Sequence, residues 1–324
     1  MNIFITGVAG FIGFNFALNQ LKIHNTKNFR IYAIDNFDNY YSTKIKKIRI
    51  NQLKPYKNFI FKNIDIKNKK KLILFLKGKK IDKVYHFAAQ AGVRYSAINP
   101  KKYIDVNIKG FINVMDVTIK LKPKIIFYAS SSSIYGDSKN FPLSETNELN
   151  PKNIYAFSKK LNEKYADQLA KFSKTFFIGL RFFTVYGEFG RPDMYIGKLI
   201  GKINKKKVFE INNRGNHSRD FTYIGDVCKI LDKLSKIKLK SRHTILNICS
   251  NNPVNILKIS DRILKDYGHT KIKYIKLNSL DVLKTHGDNK KVKKLIGKFK
   301  FTNINDGLNK TIHWFKESKF AKHY

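Results

Sequence analysis

The chain opens Met1-Asn2-Ile3-Phe4-Ile5-Thr6-Gly7-Val8-Ala9-Gly10-Phe11-Ile12-Gly13, and no other stretch limits its fold as much. Residues 2–6 have strand character, three glycines follow at a spacing of three, and a helical pattern then runs to about residue 24. A strand that passes through glycines straight into a helix leaves a turn where the backbone can approach an anion. The first N–H groups of the helix have no partner of their own and point there. The acid that completes a dinucleotide-binding βαβ pattern is also present: residues 30–34 read as a second strand ending at Asp35-Asn36. A carboxylate about 20 residues after the glycines accepts from ribose hydroxyls and repels a 2′-phosphate, so NAD is expected rather than NADP.

The alternation continues with strand 59–61, helix 67–77, strand 84–87, helix 101–121, strand 124–129, helix 154–172 and strand 175–181. Strands separated by helices imply an α/β fold, a Rossmann-like doubly wound parallel sheet, with ligands at the carboxyl ends of the strands. The glycine turn, Asp35, Asp65, Ala88-Ala89-Gln90 and the serines 130–133 all fall at such ends and should share one crevice. After residue 182 the rhythm changes: helix 196–203, strand 208–211, helix from 224, strands 244–248 and 271–275, helix 304–315. The expected organisation is an NAD-binding domain, 1–181, and a smaller α/β substrate-binding lobe, 182–324, partly interleaved with it.

The 64 Lys and Arg residues against 23 acids raise the question of nucleic acid or membrane. The excess is nearly all lysine, spread along the chain among many Asn and Ile, which reads as compositional bias on exposed positions. No nucleic-acid partner is expected; a positive field would draw a polyanionic substrate. There is no run of about 18 apolar residues to insert in a membrane. Two cysteines, Cys228 and Cys249, without metal-ligand spacing, point to a reduced, cytoplasmic setting with no metal.

The chemistry concentrates between residues 128 and 159, YASSSSIYG followed by NIYAFSKK. Tyr155 and Lys159 are four apart and share a helix face. A phenol has a reference pKa of about 10 and is a poor base at neutral pH; a neighbouring ammonium stabilises the phenolate. A serine hydroxyl at the preceding strand end could hold the substrate oxygen on which the tyrosine acts.

TGVAGFIG, IDNFDNYY, HFAAQAGVRYS, YASSSSIYG, YAFSKK, RFFTVYG, GRPDM and RDFTYIGDV together resemble the extended short-chain dehydrogenase/reductase superfamily, the NAD-dependent epimerases and dehydratases, along nearly the whole chain. The combination is most similar to UDP-glucuronate 4-epimerases of the surface-polysaccharide type. The resemblance implies cofactor contacts from Gly7, Gly10, Phe11, Ile12, Gly13, Asp35, Asn36, Asp65, Ile66, Ala88, Ala89, Gln90, Phe183 and Val185. It implies catalytic roles for Ser131, Tyr155 and Lys159, the last two also binding NAD. Thr184 and Arg191 fall where such enzymes hold a substrate carboxylate, and Arg219 and Asp281 match contacts to the diphosphate and to the ribose and uracil. Arg94 reads equally as substrate-facing or as a structural ion pair. The pattern departs at Glu188-Phe189, where a Pro and a Trp are usual, and at Leu280, where Gly is usual.

Family dehydratases carry an Asp-Glu pair where this chain has Ser132 and Ser133, and decarboxylases keep the Glu. Without those acids, elimination and decarboxylation lack their proton-transfer groups and epimerisation at C4 through a 4-keto sugar is left. Serines 132 and 133 would then help hold the substrate, or satisfy backbone groups at the strand end. The alternatives are a 4-epimerase of another UDP-sugar, a UDP-glucuronate decarboxylase, or a non-catalytic NAD-binding regulator, which would have no need of Ser131, Tyr155 and Lys159. Members of the family commonly pair through two long helices, here 101–121 and 154–172, so a homodimer is expected.

Overall fold

Ile125-Ile126-Phe127-Tyr128-Ala129-Ser130-Ser131 carries no charge and is almost wholly buried; such a strand needs cover on both faces. It receives it. The computed structural model describes residues 1–24, 26, 28–276 and 281–324. In chain order the strands are β1 (Asn2–Thr6), β2 (Arg30–Asp35), β3 (Phe59–Asn63), β4 (Lys83–His86), β5 (Ile125–Ser131), β6 (Phe176–Phe182), β7 (Thr184–Tyr186), β8 (Phe209–Asn212), β9 (Ser218–Tyr223), β10 (His243–Ile248), β11 (Pro253–Asn255) and β12 (Ile272–Ile275). Seven of them make one parallel sheet in the order β10-β6-β5-β4-β1-β2-β3.

The helices are α1 (Phe11–Ile23), α2 (Thr43–Leu53), α3 (Lys69–Leu76), α4 (Tyr95–Ile98), α5 (Pro100–Tyr103), α6 (Phe111–Ile119), α7 (Ile154–Lys171), α8 (Tyr195–Asn204), α9 (Ile224–Leu234), α10 (Ile256–Asp266), α11 (Lys290–Ile296) and α12 (Ile304–Glu317). Alternate residues of each strand face opposite sides of the sheet, and the core divides accordingly. Ile3, Ile5 and Phe127 pack with Phe14 and Leu21 of α1 and Leu231 of α9. Phe4, Ile126 and Tyr128 pack with Phe75 of α3, Val114 of α6 and Ala166 of α7.

Three expectations change. The helix foreseen over 101–121 is broken: α5 passes into a π-helical stretch, Ile104–Gly110, before α6. The widened turn carries Asn107 inward, where its Oδ1 accepts from Gln90 N at 2.8 Å and its Nδ2 donates to Gln90 O at 3.0 Å and to Ser158 Oγ at 3.0 Å. Wide turns of this kind recur at functional sites. Secondly, β5 runs on to Ser131, so Ser130 and Ser131 are strand residues and Ser132 and Ser133 open a 3₁₀ turn. Thirdly, residues 184–186 and 218–223, which alternate too briefly to read as strands alone, join β11 in a second sheet, β11-β9-β7. The chain also returns to the large sheet late: β10 pairs with β6, and α9 packs on α1.

A buried ion pair ties the centre together. Arg181 on β6 donates through Nε to Glu163 Oε1 at 3.0 Å and through Nη2 to Oε2 at 2.8 Å. Its Nη1 reaches the Tyr135 hydroxyl at 2.8 Å, which donates to Asn247 Oδ1 at 2.7 Å. Arg181→Met leaves the Glu163 carboxylate buried without its partner. It should lower the unfolding free energy by about 3–5 kcal/mol in urea denaturation, and adding Glu163→Met should recover part of that loss.

Candidate active site

The carboxyl ends of β1 to β6 open into one cleft of about 910 Å³, closed on its far side by β7, α8 and the residues near β9. Gly7 sits at φ +71°, and a Cβ there would lie 2.6 Å from Ala88 N. Only glycine lets the first turn lie against the end of β4. A side chain at Gly13 would run into Gly7 O. Gly10 is the N-cap of α1, with no side chain to cap its first turn and no acid within it. These N–H groups face the cleft with the positive end of the helix dipole behind them, which suits a pyrophosphate. Asp35 closes the cradle: Oδ2 accepts from Ala9 N at 3.0 Å and Oδ1 from Phe37 N at 2.8 Å. Burial raises its pKa against those bonds and the charges of Lys46 and Arg49. The residues present fit NAD: the glycine turn would hold its pyrophosphate, and Asp35, Asn36 and Ile66 would hold its adenosine half.

Every candidate site residue named from the sequence borders this cleft except Asp65. Asp65 is turned away, accepting from Asn36 Nδ2 at 3.0 Å and from Lys67 N at 2.8 Å. Its bonds steady Asn36 and the turn into α3, so its neighbours Ile64 and Ile66 face the cleft instead. Of the family departures, Leu280 lies outside the described residues.

The reactive wall is built by β5 and α7. Asn153 caps α7, accepting from Ala156 N at 2.9 Å, so the helix starts immediately before Tyr155 and Lys159 follows one turn later. The hydroxyls of Ser131 and Ser133 are 3.0 Å apart. Burial pushes the Tyr155 phenol up; its hydrogen bond with Ser131 and the charge of Arg191 pull the other way without overcoming it. Lys159 was expected to be the cation that activates this phenol. It donates to Ala129 O at 2.8 Å, and burial lowers it to about 8 while Glu163 acts to raise it. A further positive charge acts on Tyr155 from across the cleft.

Arg191 supplies that charge, and a carboxylate already occupies it. Nε donates to Asp193 Oδ1 at 2.9 Å, and Nη2 bonds Oδ2. Burial opposes the charge of Arg191, but Asp193 holds its pKa above the usual range, and Arg191 in turn holds that of Asp193 below its own despite burial. Thr184 and Phe183 stand on the same side of the cleft. At the mouth, Arg94 and Asp281 form an ion pair, with Nε to Oδ1 at 3.2 Å and Nη2 to Oδ2 at 2.5 Å. The ion-pair reading of Arg94 holds in this structure. Arg219 donates to Leu283 O at 3.0 Å, and burial lowers its pKa.

Sequence reasoning missed Lys46, Asp193 and His217, all of which line the cleft. Lys46 reaches Asp35 only because α2 folds back over the glycine turn, and a lysine among 64 cations carries no signal. Asp193 stood within GRPDM and could have been recognised as a partner for Arg191. His217 Nε2 is buried without a hydrogen-bond partner among the described residues; nothing in the sequence marks it.

A family model described as "NAD dependent epimerase/dehydratase family" matches residues 3–249. The UDP-glucuronate 4-epimerase of Thermodesulfobacterium geofontis is 34% identical, over 97% of this chain and 96% of its own. Protein CapI of Staphylococcus aureus is 33% identical, over 98% and 99%. Among solved structures, UDP-glucuronic acid 4-epimerase from Bacillus cereus, in complex with UDP-glucuronic acid and NAD, superposes with a TM-score of 0.90 at 28% identity, covering 98% of this chain and 99% of that one.

A lysine with a pKa of about 8 folded and 10.5 as reference binds fewer protons in the folded state between those values. Its burial penalty, about 3 kcal/mol, is full below pH 8 and is relieved as pH rises towards 10.5. The stability of the wild type relative to Lys159→Met should therefore increase between pH 7 and pH 10, measured by urea unfolding of both at each pH.

Proposed function

The chain belongs to the NAD dependent epimerase/dehydratase family, and we propose that it is a UDP-glucuronate 4-epimerase, an isomerase that interconverts UDP-glucuronate and UDP-galacturonate through a 4-keto sugar. The observation that carries this reading is the wall opposite Arg191. Tyr155, Ser131, Ser132 and Ser133 offer only hydroxyl groups there, and positions 132 and 133 carry no acid to expel a 6-hydroxyl or to assist decarboxylation. The UDP-glucuronic acid 4-epimerase structure and the relatives of that name support it.

Gly7 and Gly10 to Gly13 would hold the pyrophosphate of NAD, Asp35 its adenosine ribose, and Tyr155 and Lys159 its nicotinamide end. NAD, when bound, supplies the acceptor and donor for hydride at C4. Tyr155, as the phenolate that Ser131, Arg191 and the Lys159 ammonium one helical turn away would favour, takes the proton of the 4-hydroxyl and returns it after the sugar has turned over, with Ser131 orienting both oxygens. Its raised pKa makes the burial of Tyr155 a cost that the Ser131 bond and the Arg191 charge offset in part. A 4-ketouronate is a β-keto acid and loses CO2 when the bond to its carboxylate lines up with the ketone π-system. Arg191, released from Asp193, with Thr184 and a serine hydroxyl, holds the carboxylate out of that alignment. Arg219 and Asp281 bind the diphosphate and the nucleoside.

The remaining proposals follow from the same reading. Ile104, Ile154 and Phe157 are exposed on adjoining helical stretches, which supports pairing of two chains there as a homodimer. A nucleotide-sugar substrate supports a cytoplasmic site of action, with the product used for surface polysaccharide.

Incubation with UDP-glucuronate, followed by chromatography, should give UDP-galacturonate. UDP-xylose as the main product would establish a decarboxylase, and turnover confined to UDP-N-acetylglucosamine would establish another substrate. Tyr155→Phe should lose about 10²–10⁴-fold in kcat. Arg191→Ala should cost about 10- to 100-fold in kcat/KM for UDP-glucuronate and markedly less for a neutral UDP-sugar, which loses only the Arg191 charge on Tyr155.

A further inference from the structure

The bias towards lysine is not evenly laid on the fold. Four turns lie at the amino ends of the large sheet, on the side away from the cleft: residues 77–83, 120–124, 171–175 and 236–242. Hydrogen bonds to backbone carbonyls join them edge to edge. Lys124 N donates to Asp82 O at 2.9 Å, Thr175 Oγ1 to Pro123 O at 2.9 Å, and Arg242 Nη1 to Lys174 O at 2.6 Å. These 24 residues hold thirteen Lys and Arg and one acid, Asp82, in a chain whose whole ratio is 64 to 23. Asp82 is already engaged, its Oδ2 accepting from Asn2 N at 2.7 Å. Most of the cations are exposed.

Two apolar side chains stand out among them. Phe172, at the end of α7, is 87% exposed, and Leu74, on α3, is 72% exposed. Cations in the last turn of a helix are accounted for by the dipole, at about 0.3–1 kcal/mol each. That does not extend to Lys80, Lys124, Lys174, Lys238, Lys240 and Arg242, which lie beyond those turns. Nor does it account for a phenylalanine left in water.

We propose that this basal face docks the protein on an anionic membrane surface, its cations against lipid phosphates and Phe172 and Leu74 entering the headgroup layer. Clustered lysines supply about 1 kcal/mol each near such a surface, and exposed apolar side chains add burial. Among the described residues of these four turns Phe172 is the one aromatic side chain, with no row of rings on which bases could stack, so a lipid surface is favoured over nucleic acid. β5 separates Lys124 from Ser131, which puts the face roughly 20 Å from the reactive wall. A docked chain would therefore keep its cleft open to water. The proposal rests on the fold and not on the proposed reaction.

The test is co-sedimentation of the full chain with vesicles of phosphatidylcholine alone, and with about one third phosphatidylglycerol, at about 0.1 M salt. The chain should sediment with the anionic vesicles only. Lys80→Glu with Lys174→Glu should weaken that partition at least about tenfold, and Phe172→Ser should weaken it several-fold. Both variants should retain NAD binding. Lys258→Glu with Lys265→Glu makes the same charge change on α10 and should matter less than about twofold. Failure to sediment would overturn the proposal, as would an equal loss in the α10 variant, which would reduce the effect to net charge. A single-stranded RNA that displaces the vesicles, and whose own binding is lost in the basal variants, would also overturn it by assigning the face to nucleic acid.

Discussion

The pair of Arg181 and Glu163 is the interaction on which the rest of the site leans. It joins β6 to α7 at the level of the reactive wall, with both side chains almost fully buried. Glu163 also accepts from Ser130 Oγ at 2.5 Å, and so holds the strand residue next to Ser131. One turn earlier on the same helix is Lys159, whose charge it supports. Through Tyr135 and Asn247 the pair reaches β10, the strand by which the later part of the chain re-enters the large sheet. Desolvating two charges is costly, and a pair earns its place only when its lone pairs and protons are all used. Here the carboxylate is shared between the guanidinium and a serine, and the guanidinium among a carboxylate, a phenol and the Glu145 carbonyl.

The cleft is a set of competing claims on a few charges. Asp35 is bound to the turn that it helps to form. Arg191 lies beside Asp193, its own carboxylate two residues away, so an incoming carboxylate exchanges one anion for another instead of meeting a bare cation. That exchange lessens the gain in affinity and sharpens discrimination, since a neutral sugar has nothing to offer in return for Asp193. The Tyr155 phenol is kept protonated in the free chain by burial, with Ser131 and Arg191 already arranged to stabilise its anion.

Much of this was legible in the residues. Glycines at 7, 10 and 13, an acid at 35 and tyrosine and lysine four apart are requirements of local geometry. Each could be read where it stands. Asp65 shows the limit: its position at a strand end was right, but its carboxylate caps the turn into α3. The π-helical stretch after α5 was also invisible, because a widened turn is chosen by what Asn107 meets, the backbone of Gln90 and the hydroxyl of Ser158, and not by helix propensity. Strand β7 was hidden because three residues show no period, and β9 because it opens on the polar Ser218-Arg219-Asp220; both are held by their neighbours in the second sheet.

The sequence by itself determined the order of strands and helices, the glycine cradle and the hydroxyl-only wall, since these depend on backbone sterics, on periodicity and on which side chains are present. Tertiary structure alone decided which charges meet. Arg191 acts on Tyr155 from across the cleft, Lys46 leans on Asp35, and Arg94 pairs with Asp281 from 187 residues away. Electrostatic interaction depends on distance and burial, and neither is a property of position along a chain. The same reasoning applies to the basal lysines, scattered in the sequence and brought together because parallel strands place all their amino ends on one side.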